Sequence, residues 1–152
     1  MIIVLYEPEI PQNTGSIART CAATATPLHL VGRLGFEIDE KRVRRAGLDY
    51  WPYVDLHIHD SWDNFIKSVP DCKFWLFSKY AEKIYHQAEF NPHDALIFGS
   101  ETKGLGKEFL ESFPKENQLR IPMPCKEVRS LNLSNAVSVA LYEARRQLGI
   151  DS

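Results

Sequence analysis

The sequence predicts an α/β protein with a mostly parallel sheet and helices on both of its faces. Three observations lead there. Short runs rich in branched and aromatic residues alternate with stretches of helical periodicity along all 152 residues, the pattern of strand–helix–strand units whose sheets are covered on both sides. No repeat, low-complexity stretch or linker interrupts that alternation, so one domain spanning residues 1–152 is expected. The composition, 44% hydrophobic and 25% charged, supplies an ordinary core.

The elements follow in order. Ile2 to Tyr6 is a short branched run of the buried-strand type. After Pro8 and Pro11, Asn13 is placed to cap a helix running through Ile17, Ala18 and Cys21 to about residue 25. Leu28 to Val31 is the next strand, closed by Gly32. Residues 39–46 form a short helix rich in cations, with Gly47 as its stop. Residues 54–59 alternate apolar and polar, as a strand with one wetter face does. Ser61 caps a helix in which Trp62, Phe65, Ile66 and Val69 share a face. Strands are expected at 73–77 and 95–98, and helices at 106–113 and 133–148. In the last helix Ala136, Val137, Ala140, Leu141, Ala144 and Leu148 recur at helical spacing, with Arg145 and Arg146 outside.

Eighteen Lys and Arg against twenty Asp and Glu leave a net charge of −2, which excludes a globally basic nucleic-acid wrapper and a polyacidic tail. A local basic patch remains open, because binding follows where the charges sit. Three widely spaced cysteines without C-x-x-C speak against a disulfide framework and a structural zinc site. No apolar run approaches the ~18 residues of a membrane span, and the first residues lack signal-peptide form. A soluble, cytoplasmic protein is expected.

Several familiar motifs fail. Gly99 to Gly104 has the glycine spacing of a phosphate loop, but Leu105 and Gly106 stand where Lys and Ser/Thr are needed. No G-x-G-x-x-G follows the first strand, and no G-x-S-x-G occurs. His57 and His59 project from one strand face without an evident third ligand, so no metal is expected there.

Three segments carry more polar chemistry than packing requires, and in a parallel sheet the loops after strands are where ligands bind. The first is Asn13-Thr14-Gly15-Ser16-Ile17-Ala18-Arg19, a glycine-containing helix start whose free N–H groups suit an anion. A plain capped helix with an exposed arginine is its simpler reading. The second, Leu96 to Leu105, brackets a polar loop with two glycines as it leaves a buried strand. The third runs Arg120-Ile121-Pro122-Met123-Pro124, then Arg129-Ser130-Leu131-Asn132-Leu133-Ser134-Asn135, more hydroxyls and amides than one helix cap uses.

In this order the three segments resemble the motifs of the SPOUT superfamily of S-adenosylmethionine-dependent RNA methyltransferases, over the whole chain. Leu5-Tyr6-Glu7-Pro8-Glu9-Ile10-Pro11-Gln12-Asn13-Thr14-Gly15 and Gly47-Leu48-Asp49-Tyr50-Trp51 narrow the resemblance. They are similar to the small bacterial enzymes that methylate the ribose of the wobble nucleotide, position 34, in the tRNA anticodon loop. The resemblance implies a C-terminal deep trefoil knot, a homodimer whose partner subunit completes the active site, and tRNA as substrate. The ribose of another tRNA or rRNA position is the alternative target.

By the same resemblance, S-adenosylmethionine would be held around Phe77, Ser78, Gly99, Glu101, Ile121, Met123, Ser130 and Leu131. Ile121 and Leu131 would sandwich the adenine. Arg19 matches the superfamily's catalytic arginine, while Asn13, Glu101, Ser130 and Asn132 match polar positions that shape the site. A free arginine stays protonated, so binding the substrate phosphate and orienting the hydroxyl suits Arg19 better than acting as a base. Lys41, Arg42, Arg44 and Arg45 are candidates for gripping the RNA backbone, with Arg33 and Arg129 beside them.

Overall fold

The computed structural model describes residues 1–38 and 50–150. Among the described residues seven strands run β1 (Ile2–Tyr6), β2 (Leu28–Val31), β3 (Leu56–His59), β4 (Phe74–Phe77), β5 (Lys83–Ile84), β6 (Ala95–Phe98) and β7 (Gln118–Arg120). Between and after them lie α1 (Pro11–Ala23), α2 (Trp62–Ser68), α3 (Lys107–Glu111) and α4 (Leu133–Leu148). The strands form one sheet in the order β3-β2-β1-β6-β4-β7-β5. Every neighbouring pair in it is parallel.

The period of two along each strand divides the core between the faces. Ile3 and Leu5 of β1, with Leu96 and Phe98 of β6, meet Ile17, Ala18 and Cys21 of α1 and Val137, Ala140, Leu141 and Ala144 of α4. Val4, Val31, Leu76 and Ile97 point the other way, onto Phe65 of α2 and Leu110 of α3. Helices therefore cover both faces, as the unbroken apolar runs of β1 and β6 require. Each fully buried Leu, Ile or Phe contributes roughly 1.5–3 kcal/mol.

Several boundaries differ from the sequence reading. Helix α1 begins at Pro11, with Ile10 as its cap residue and no side-chain cap hydrogen bond. Proline fixes the helical φ at the first position, and Asn13 is thereby moved inside the first turn. Strand β3 begins at Leu56 because Trp51–Tyr53 forms a 3₁₀ turn just before it. Helix α3 is only five residues long, entered through Gly106 at φ +83°. Strand β5, two residues long, had no sequence signal of its own. The helix expected at 39–46, and with it Lys41, Arg42, Arg44 and Arg45, lies outside the described residues.

His57 and His59 share one face of β3, and parallel register sets His29 of β2 beside His57. The His29 and His57 rings stack at 4.4 Å between centroids, and His29 Nδ1 meets His59 Nε2 at 2.9 Å. Among the described residues no group of His, Cys, Asp or Glu is arranged to hold a metal. Burial, reinforced by the neighbouring imidazoles, pushes the His29 pKa down to about 4 from its ordinary 6.5. The folded pKa is the lower one, so the neutral ring's stabilisation is complete above pH 6.5 and is lost as pH falls toward 4. Urea titrations at pH 7 and pH 4.5 should differ by roughly 1–2 kcal/mol more in the native protein than in His29→Phe.

Candidate functional site

Strands β6, β4 and β7 are neighbours, and their carboxyl ends lie level. Phe77 pairs with Phe98 and with Leu119, so Ser78, Gly99 and Arg120 follow side by side. Ser78 continues the ladder by donating its N–H to the Leu119 carbonyl at 2.9 Å. The Phe77 side chain is buried and stacks on Phe98 at 4.6 Å, leaving its backbone to border the edge. Ile121 and Met123 are half-buried beyond β7, and Ser130 and Leu131 are exposed just before α4.

The loop after β6 closes on itself. Ser100 and Gly104 exchange backbone hydrogen bonds of 3.2 and 2.9 Å. A Cβ at Gly99 would stand 2.0 Å from the Gly104 carbonyl carbon and 2.3 Å from Leu105 N. The absence of a side chain at Gly99 thus lets the loop's own backbone pass close over it on that side.

One hydrogen-bonded chain ties the three polar segments together. The Glu101 carboxylate accepts from the backbone N–H groups of Glu9 at 2.9 Å and Ile10 at 2.6 Å. It also accepts from Asn13 Nδ2 at 3.2 Å. Asn13 Oδ1 in turn accepts from Asn132 Nδ2 at 3.0 Å. Asn132 Oδ1 caps α4, accepting from Ser134 N at 2.9 Å and Asn135 N at 3.3 Å. Every donor points toward the carboxylate, so reversing either amide would set oxygen against oxygen and break the series. Aligned hydrogen bonds polarise one another, and this series runs from a helix N-terminus to an anion.

The turn before α1 is shaped for this clasp. Glu7 takes a left-handed φ of +54°, and its carboxylate accepts from Arg33 N at 3.3 Å. Two residues on, Glu9 Oε1 accepts from Thr102 Oγ1 at 2.6 Å. That hydrogen bond, with another from Ser100, holds the Glu9 carboxyl below its ordinary range.

Asn13 is the hinge of the clasp, and Asn13→Ala should cost about 2 kcal/mol in urea unfolding by stranding two partners. Asn13→Asp should cost more, because its carboxylate would face that of Glu101.

Arg19 stands apart from these contacts on the exposed side of α1. Its Nη2 donates to the Tyr50 hydroxyl at 3.1 Å, and its guanidinium carbon lies 4.5 Å from the centre of the Tyr50 ring. The structure thus brings Asn13, Glu101 and Asn132 together and seats Ser130 beside them in sequence. Arg33 and Arg129 are exposed. Glu9, Thr102 and Tyr50 are the participants that sequence reasoning assigned no role. All three lay within quoted segments, Glu9 in Leu5 to Gly15, Thr102 in Leu96 to Leu105 and Tyr50 in Gly47 to Trp51, but nothing local named their partners.

A seven-stranded parallel sheet covered by helices, with three remote segments clasped at its carboxyl edge, defines the α/β class of the chain. The model of the SpoU rRNA methylase family matches residues 1–142, and the chain belongs to that family. It is 52% identical over 147 residues to a tRNA (cytidine(34)-2′-O)-methyltransferase of Saccharophagus degradans, covering 97% of this chain and 95% of the relative. A solved structure described as concerning 2-OH methylation of C/U34 on tRNA superposes with a TM-score of 0.91 at 51% identity, over 97% of this chain and 95% of that one. The methyltransferase AviRb of Streptomyces viridochromogenes, solved with AdoMet, shares the fold at TM-score 0.88 and 21% identity, over 99% of this chain and 61% of that one.

Proposed function

We propose that this protein methylates the 2′-hydroxyl of nucleotide 34, a cytidine or uridine, in the tRNA anticodon loop, with S-adenosylmethionine as donor. The observation that carries the reading is end-to-end similarity to relatives named for that reaction, joined to a clasp that unites all three polar segments at one sheet edge. No helix among the described residues is long and apolar enough to cross a membrane, which suits an enzyme acting on tRNA in the cytoplasm.

The residues at the edge fit the cofactor's chemistry. Exposed Leu131 and half-buried Ile121 and Met123 offer apolar surface to an adenine. Exposed Ser130 and the backbone ends of β4 and β6 offer hydrogen bonds to polar groups. When bound, S-adenosylmethionine supplies a methyl group already activated by its sulfonium, so this transfer calls for no metal. The protein's share is alignment and help with a proton. Arg19 binds the substrate phosphate and orients the ribose hydroxyl, and that phosphate assists proton removal. The Asn13–Glu101–Asn132 clasp holds the loops rigid around the reacting groups.

The resemblance's trefoil knot is part of this proposal. It is supported by the path from β7 back across β4 and β6 to α4, which packs on α1. So is the homodimer. Val139 and Tyr142 leave 40% and 52% of their surface exposed on the outer face of α4, and a twofold contact there would cover them. Sedimentation at micromolar protein should give twice the chain mass.

The test is transfer of labelled methyl from S-adenosylmethionine to bulk tRNA lacking this modification, with nuclease mapping. Label on a 2′-O-methyl at position 34 supports the reading. Label in rRNA, or at another tRNA position, moves the target, as the family's rRNA description would favour. Absence of both label and cofactor binding overturns it.

A further inference from the structure

Arg19 is exposed and long, and an untethered arginine loses substantial rotamer freedom when it must adopt one geometry. Its holder here is unusual in kind. Among the described residues no carboxylate forms an ion pair with Arg19. It is held instead by the face and the hydroxyl of a single tyrosine, at 4.5 Å and 3.1 Å. A carboxylate partner would position the guanidinium but also neutralise it. A neutral aromatic ring positions it and leaves its charge for an incoming anion.

Tyr50 is itself fixed from the core. Its carbonyl accepts from Tyr53 N at 2.9 Å, which opens the turn Trp51–Tyr53. Trp51 packs against the core cluster beneath α1, and Pro52 stiffens the turn. A continuous line therefore runs from the core through Trp51 and Tyr50 to the guanidinium of Arg19. Because Arg19 donates to the Tyr50 oxygen, the tyrosine's own O–H is left to donate elsewhere, toward whatever anion Arg19 meets.

We propose that Tyr50 is a positioning residue for Arg19, holding the guanidinium in its working orientation without neutralising it. The proposal rests on the reading that Arg19 engages the substrate. It predicts graded effects on kcat, with tRNA KM and cofactor affinity changed less than about twofold. Tyr50→Phe keeps the ring and loses the hydroxyl, and should lower kcat about tenfold. Tyr50→Leu loses both contacts and should lower it about a hundredfold. Arg19→Lys, added to Tyr50→Leu, should then cost little more, since coupled residues are not additive.

A second readout needs no turnover. An arginine-specific dicarbonyl reagent, mapped by mass spectrometry, should modify Arg19 several-fold faster in Tyr50→Leu than in the native protein. Wild-type kcat in both Tyr50 variants, or a change confined to tRNA KM, overturns the proposal. So does a Tyr50→Leu protein of lower Tm whose Arg19 reacts at the native rate while Tyr50→Phe stays fully active, because that pattern marks packing alone. Normal loss of activity in Arg19→Ala with unaffected Tyr50 variants removes this proposal and spares the Arg19 reading. Full activity in Arg19→Ala removes both.

Discussion

Arg19→Ala is expected to fold normally, to bind S-adenosylmethionine as the native protein does, and to lose about 10²–10³-fold in kcat at saturating tRNA. The fold should tolerate the change because Arg19 is exposed on α1 and its side-chain contact among the described residues is with Tyr50. The loss should fall on kcat because a fixed cation that orients a nucleophile is worth most as charge develops in the transition state. Arg19→Lys should recover part of the rate, since charge survives but the planar fork that grips phosphate does not. Turnover of Arg19→Ala at the native rate would take Arg19 out of the mechanism.

Gly99→Ala should do the reverse, damaging structure first and activity through it. The added Cβ would meet backbone atoms at 2.0 to 2.3 Å, with no flexible side chain able to swing aside. The loop must open, and overpacking of this kind costs roughly 1–3 kcal/mol, here at the upper end. For a chain of this size that corresponds to a thermal midpoint lower by about 6–12 °C. Opening the loop also shifts Glu101, so cofactor affinity should fall at least tenfold. Gly104→Ala is the control. Its Cβ would meet nothing within 4 Å, but its φ of +60° disfavours a side chain, so a smaller loss of about 1 kcal/mol is expected. If calorimetry reversed that order, the self-closing loop would be the wrong explanation for Gly99.

The fold was legible where local signals were strong and unopposed. The expected ends of β1, β2, β6 and α4 coincide with those observed, because unbroken apolar runs and a sustained helical period leave few alternatives. Asn13 shows where local reasoning stops. It has the right chemistry for a cap, yet Pro11 starts the helix earlier and the amide turns to partners 88 and 119 residues away. Nothing in periodicity can name such partners. His29 was missed as the third histidine for the same reason, since only parallel register brings it to His57. The site's residue types were therefore readable in the sequence, whereas their connectivity was not. The Arg19–Tyr50 contact spans 31 residues and needed the turn at Trp51 to be seen.

The place of β1 between β2 and β6 has a consequence during synthesis. Ile3 finds Leu28 on one side soon after both have emerged, but Ile2 must wait for Ala95 on the other. At ~5–20 residues per second, the ribosome leaves that strand half-paired for roughly 3–13 s. Throughout that interval Ile3, Val4 and Leu5, all fully buried in the finished protein, border an open edge of the kind on which nascent chains aggregate. Asn132 emerges later still, so the clasp at Asn13 closes only after the sheet's centre has formed. Chaperone depletion should therefore trap this protein as chains that have begun their sheet and have not yet built their catalytic edge.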